Sequence, residues 1–307
     1  VARRQQRRGR QVNGILLLDK PLGITSNAAL QQVKQLYNAN KAGHTGNLDP
    51  AASGLLPLCF GEATKLSPFL LDADKVYVGT CKLGVRTSTA DIEGEVIATA
   101  PVPPLDRDQV TTLLQQFLGE QDQIPPMHSA IKHKGQPLYK LAHQGIEIER
   151  KPRRINIFAL DLLRLEGDEL ELRVHCSKGT YIRTLAEDIG NALGTGAHLS
   201  ALHRTAVGPF RDQMITIDTL EACRSEEGTA ALDRFLLPME QALEQMPAVE
   251  LTETSVFYIR QGQPVLVPQA PTSGWVRLFA VGGRFLGVGS ILDDGRVAPK
   301  RLIGGAK

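Results

Sequence analysis

Gly43-His44-Thr45-Gly46-Asn47-Leu48-Asp49-Pro50-Ala51-Ala52-Ser53-Gly54, followed by the apolar run LLPLCF at 55–60, is the stretch that decides this chain. Three glycines and one proline in twelve positions predict a loop, and the run after it has the composition of a strand. Taken alone, Asp49-Pro50 reads as a helix N-cap followed by the first helical residue. The glycines weigh against that reading, because they allow close approach of a ligand and left-handed torsions. A carboxylate on such a loop, with a histidine five residues before it, suits covalent or acid–base chemistry.

Working outward, residues 14–18 (GILLL) predict a buried strand ending at Asp19-Lys20-Pro21. Thr25 or Ser26 caps a helix to about Tyr37, with Ala29, Leu30, Val33 and Leu36 on its apolar stripe. Downstream, 63–71 reads as a helix, 76–83 and 95–98 as strands, and Asp106 as the cap of a helix to Leu118. Residues 120–154 hold Pro125, Pro126, Gly135, Pro137, Gly145 and Pro152, and predict a long excursion with one short helix near 138–143. Strands follow at 155–163 and 170–175, then a helix at 180–193 with Ile182, Leu185, Ile189 and Leu193 on one stripe. The last 60 residues alternate apolar runs with Gly-rich turns, which suggests a small β-rich barrel beginning near Met246-Pro247.

Composition narrows the function classes. Apolar residues make up 42% and charged residues 22% of 307, which excludes wholesale disorder. An aromatic share of 5% argues against a surface of stacking platforms. The net charge of +2 does not by itself imply nucleic acid, and its placement says more. Five Arg lie in the first ten residues, seven Lys or Arg against two acids in 128–154, and Arg296, Lys300, Arg301 and Lys307 in the tail. Such stretches suit a polyanion touching part of the surface. The four cysteines have neither C-x-x-C nor zinc-finger spacing, so reduced thiols are expected. No 18-residue apolar run and no signal-peptide pattern is present.

A second segment, Ser177-Lys178-Gly179-Thr180-Tyr181-Ile182-Arg183-Thr184, joins a strand to a helix. Lys178 and the first-turn N–H groups suit an anion such as phosphate. Arg183 lies one position past the apolar stripe; its ordinary partner would be Glu187, in the less favourable Arg-before-Glu order. A guanidinium facing Asp49 instead would keep that carboxylate ionised and oriented. Tyr77, near the start of a strand, reads alone as a cross-strand packing residue. His198 and His203 lack metal-helix spacing.

The motifs NGILLLDKPLGITSN, GHTGNLDPAASGLLPLCFGEATK, DKVYVGTCKLGVRTSTAD, IPPMHSAIKHKGQPLYKLAHQGIEI and CSKGTYIRTLAEDIG, in this order, closely resemble the bacterial TruB family of tRNA pseudouridine synthases. The resemblance is dense from residue 13 to about 210 and looser in the tail. It implies an α+β class: a pseudouridine synthase fold with a central mixed, mostly antiparallel sheet, plus a small β-rich PUA-like C-terminal domain. The catalytic domain would span 1–247, with a basic arm at 1–12 and a thumb loop at about 124–152, and the RNA-binding domain 248–307.

The implied activity is isomerisation of uridine to pseudouridine at position 55 in the T loop of tRNA. Neither cofactor nor metal, no membrane and no obligatory protein partner is implied, and the chain is expected to be a cytoplasmic monomer. By the same resemblance Asp49 is the catalytic aspartate, Tyr77 packs on the target base and Arg183 pairs with Asp49. Leu202 lines the pocket, His44 fills the stack left by the flipped base, and Lys20 belongs to a Lys-Pro motif near the site. Tyr181, Lys178, Lys132, Arg153 and Arg154 complete the expected RNA-binding set. Asn47 and His203 depart from the family pattern, which has a small residue or Thr and an Arg there. Three other readings compete: a guide-RNA-directed relative with partner proteins, a tRNA-binding module without chemistry, and a metal-dependent hydrolase using His44 and Asp49.

Overall fold

The computed structural model describes residues 9–304 apart from 143 and 212, so the arm up to Arg8, His143 and Lys307 lie outside the described residues. β1 (Gly14–Lys20) is buried along nearly its whole length, as its apolar run dictates. Thr25 caps α1 (Ser26–Leu36) by accepting from Ala28 N, and the stripe Ala29, Leu30, Val33, Leu36 turns inward. The loop expected over 43–54 is shorter than its glycines suggest. β2 (Ala42–His44) and β3 (Ala52–Phe60) claim its ends by pairing with each other. Pro50 and Ala51 form a turn closed by Ala52 N donating to Asp49 O (3.0 Å), so Asp49 caps no helix.

The helix expected over 63–71 is two pieces, a 3-10 segment Gly61–Leu66 and then α2 (Ser67–Asp72). Pro68 at the start of α2 has no N–H to continue the preceding turn. β4 (Lys75–Leu83), β5 (Val85–Thr87) and β6 (Val96–Thr99) follow. Asp106 caps α3 (Arg107–Leu114) by accepting from Asp108 N and Gln109 N; the helix then tightens to a 3-10 turn instead of reaching Leu118.

The excursion predicted over 120–154 is also narrower. Its ends are β7 (Gly119–Gln123) and the start of β10 (Arg153–Glu166), paired from Arg153↔Gln123 to Ile157↔Gly119. Between them lie β8 (Lys132–His133), β9 (Gln136–Pro137) and α4 (Leu138–Ala142). β10 (Arg153–Glu166) and β11 (Glu169–Cys176) form a long hairpin. α5 (Ile182–Ala192) starts two residues later than its pattern suggests, because Tyr181 stays extended. β12 (Ala197–Val207), β13 (Phe210–Arg211) and α6 (Ile217–Glu227) follow.

The main sheet runs β1-β3-β12-β4-β11-β10-β7, with β2 on β3 and β13 on β12. Its one parallel pair among the described residues is β12–β3; the rest are antiparallel. β12 therefore lies between β3 and β4, with Leu202 level with Ala52 on one side and Arg204 level with Tyr77 on the other. α5 buries Ile182, Leu185, Ala186 and Ile189 against Leu170, Leu172, Leu199 and their neighbours.

The chain ends in β14 (Ala248–Leu251), α7 (Glu253–Arg260), β15 (Trp275–Ala280), β16 (Phe285–Ile291) and β17 (Val297–Leu302). Their sheet has the order β14-β15-β16-β17 and is open among the described residues, not the closed barrel expected. Val288, Phe285 and Ile303 from this region share an apolar cluster with Ile15, Leu17 and Leu55.

Candidate active site

Asp49 stands in the turn between β2 and β3, and its neighbours are held from several sides. Ser26 Oγ accepts from Leu48 N (2.8 Å) and donates to Leu48 O (3.1 Å). Arg204, 1% exposed, donates from Nε to Leu55 O (2.7 Å) and from NH1 to Asn47 O (3.4 Å). β3 can lie this close to β12 only because residue 54 is glycine: at φ +100° a Cβ there would stand 2.4 Å from Arg204 O.

Arg183 enters from the first turn of α5. Its NH2 lies 3.0 Å from Asp49 Oδ2 and its NH1 3.2 Å from Asp91 Oδ2. The same nitrogens donate to His128 O (2.7 Å) and Thr89 O (3.1 Å). The Arg183 and Asp91 side chains are 6% and 7% exposed, whereas Asp49 retains 45% at the open end of the array. Glu187, the ordinary partner considered for Arg183, pairs with Arg86 instead (2.9 Å).

Asp91 was missed by sequence reasoning. It also accepts from Glu93 N (3.0 Å) and from the Thr89 hydroxyl. It closes the motif DKVYVGTCKLGVRTSTAD, but nothing in local spacing tells that it reaches α5.

Burial raises the Asp49 pKa above the ordinary carboxylate value, and Asp91 adds to the rise; Arg183 and Lys20 pull the other way. The expectation that Arg183 would keep this carboxylate ionised thus has the right sign for the pair, but desolvation outweighs it. Burial also pushes the Tyr77 hydroxyl up, so the phenol stays protonated. Asp49, Tyr77, Tyr181, Arg183 and Leu202 line one cleft of about 290 Å³, at the small end of the ~300–1,000 Å³ typical of ligand sites.

Other candidates lie elsewhere or are differently engaged. Lys20 is fully buried and spends its ammonium on Pro21 O and Ile24 O (2.8 Å each), so it offers no face to a phosphate. It braces the turn after β1 instead. Burial lowers its pKa to about 8. Lys178 is ion-paired with Asp72 (2.8 Å) and stands outside α5. Both partners are exposed, so the pair is weak enough for a phosphate to replace.

Lys132, in β8 within the 124–152 segment, and Arg153 and Arg154, at the start of β10, are exposed, with Arg154 beside Glu120 (3.2 Å) and Asp122 (3.6 Å). His44 ends β2, half-buried and outside the cleft lining, with its pKa lowered chiefly by burial. His198 bonds Val85 O and His203 bonds Ser53 Oγ (2.9 Å each). Among the described residues no three His, Cys, Asp or Glu side chains gather to hold a metal ion.

Comparison with known proteins narrows the class. A crystal structure of a Cbf5-Nop10-Gar1 complex matches over 95% of this chain and 85% of that one, at TM-score 0.73 and 28% identity. The family description "TruB family pseudouridylate synthase (N terminal domain)" matches residues 34–182. "tRNA pseudouridylate synthase B C-terminal domain" matches 183–244, and "Pseudouridine synthase II TruB, C-terminal" 247–303.

Among curated proteins, tRNA pseudouridine synthase B of Nitrosococcus oceani is 59% identical over 98% of both chains. Its namesake in Stutzerimonas stutzeri is 57% identical over 96% of both. This chain belongs to the TruB family of pseudouridine synthases and is an isomerase.

Proposed function

We propose that this chain converts uridine to pseudouridine at position 55 in the T loop of tRNA, with Asp49 as the catalytic group. The observation that carries the reading is the Asp49 carboxylate, bonded to a buried guanidinium in a cleft that Tyr77 and Leu202 also line. The names of the curated relatives support tRNA as the substrate.

The reaction breaks the N1–C1′ bond, turns the uracil and joins C5 to C1′. Every atom is retained, so it consumes neither oxidant nor energy donor. Asp49 supplies negative charge where the sugar becomes electron-deficient, as carboxylates do in glycoside chemistry. Partial desolvation makes that carboxylate more reactive, while Arg183 fixes its direction. Tyr77 and Leu202 form apolar walls that keep the detached base from escaping.

The target nucleotide has to leave its stack, at a cost of a few kcal/mol. His44 offsets part of that cost by taking the vacated place, and its lowered pKa keeps the ring neutral for stacking. Lys132, Arg153, Arg154 and Lys178 hold phosphates of the T stem-loop, with shape supplying most of the selectivity. Residues 248–307 serve as a PUA-like RNA-binding domain.

The test is chemical mapping of pseudouridine in a tRNA transcript incubated with the purified chain alone. Modification at position 55 is the expected result. Turnover only after a guide RNA and partner proteins are added would favour the guide-directed reading instead.

A further inference from the structure

Gln123 ends β7, immediately before the thumb, and is 5% exposed. Its side-chain amide grips a single distant residue twice. Nε2 donates to Tyr181 O (3.1 Å), and Oε1 accepts from Tyr181 N (2.8 Å). An amide used in this way supplies one donor and one acceptor to a backbone that has no strand beside it. Tyr181 is the residue that caps α5; it is extended, and its side chain makes no capping bond to the first turn. Its carbonyl also takes the first helical bond, from Leu185 N (3.1 Å). Two residues further on is Arg183. Gln123 therefore sets where α5 begins and from where the guanidinium reaches toward Asp49.

The thumb is tied to the same arginine from its other side. Arg183 NH2, the nitrogen facing Asp49, donates to His128 O on the thumb (2.7 Å). The entry of the thumb and the carboxylate-binding arginine thus share two independent connections. One runs through the Gln123 amide to the backbone, and the other through the guanidinium to a carbonyl.

We propose that Gln123 is a positioning residue for the isomerisation, seating the Tyr181–Arg183 turn so that the guanidinium meets Asp49 and linking that seat to the thumb. The inference rests on the roles given to Asp49 and Arg183 above. Gln123 does not line the cleft, so it has no place against the base. Its effect falls on the chemical step and not on tRNA affinity.

Two substitutions test this. Gln123→Met keeps length and volume but removes both bonds. Gln123→Glu, when ionised, keeps the acceptor for Tyr181 N–H and loses the donor to Tyr181 O. Single-turnover rates on a tRNA transcript and Kd by filter binding are measured for both, with a pH–rate profile for Gln123→Met. A misplacement of about 1 Å costs ~10²-fold in rate, so Gln123→Met is expected to slow the bound complex about 10²-fold with Kd changed less than about threefold. Gln123→Glu falls between it and the unmodified enzyme. The acid limb of the Gln123→Met profile moves to higher pH, because a retracted guanidinium opposes Asp49 protonation less.

A Gln123→Met rate within about twofold of the original overturns the inference, as does a loss confined to Kd or an unmoved acid limb. If Gln123→Met does not fold, Gln123→Glu carries the same test at a pH where the new carboxylate is ionised, and its full rate there is equally decisive. Asp49→Asn is assayed alongside. Turnover in that variant refutes the underlying reading, whereas an inactive Asp49→Asn beside a full-rate Gln123→Met refutes the present inference alone.

Discussion

Replacing Arg183 with Met removes two ion pairs and two carbonyl bonds at once. The two carboxylates left behind do not suffer equally. Asp49, 45% exposed, can turn to water, but Asp91, 7% exposed, is left as a buried negative charge with one hydroxyl and one N–H for company. Removing one member of a buried pair costs ~3–5 kcal/mol, and that is the loss expected for Arg183→Met at neutral pH. Asp91→Asn leaves Arg183 bonded to Asp49 and both carbonyls, so its cost is expected nearer ~1–3 kcal/mol.

The decisive quantity is the double variant. Once Asp91 is neutral, no stranded charge remains for Arg183→Met to create. The pair together should lose about 2–3 kcal/mol less than the two single losses added. Equilibrium urea unfolding followed by circular dichroism gives all four values. Strict additivity, or an Arg183→Met loss below about 1 kcal/mol, would mean that the array behaves as a surface ion pair and would refute the reasoning.

Lys20 gives a pH signature. Its folded pKa is about 8 against an ordinary 10.5, so the folded chain sheds that proton first and the group's contribution to stability grows as pH rises from about 8 to 10.5. In Lys20→Met that contribution is absent, and parallel urea midpoints for the two chains across the window would contradict the assignment. Gly54→Ala should cost more than about 2 kcal/mol, because neither its torsion nor the Arg204 carbonyl can yield; a thermal melt showing no loss would mean that the close approach of β3 to β12 is not required. Lys132→Ala with Arg153→Ala should weaken tRNA binding and lower the slope of log affinity against log salt by about one for each phosphate no longer held, and an unchanged slope would remove both from the interface.

Local chemistry made much of the fold readable. Thr25 and Asp106 announce their helices because each offers an oxygen to the first turn, and the stripe of α5 follows its 3.6-residue period. Asp49 stood out because its glycines are costly unless a turn needs them. Arg183 stood out because it departs from an apolar stripe.

What stayed hidden depends on partners far along the chain. β3 begins at Ala52 because β12 lies beside it there, and β10 begins at Arg153 because β7 receives it. Asp91 and Gln123 carry no local mark, since each acts on α5 from a distant segment. By resemblance Lys20 is expected beside the RNA, in a Lys-Pro motif near the site. It is buried because two carbonyls of its own turn satisfy the ammonium.

The account turns on Asp49, and Asp49→Asn tests it most directly. The amide keeps the shape of the side chain while removing its negative charge, so tRNA should bind with nearly unchanged Kd while pseudouridine formation in a single-turnover assay falls below detection. Pseudouridine accumulating at a measurable fraction of the original rate would contradict the claim that this carboxylate performs the chemistry.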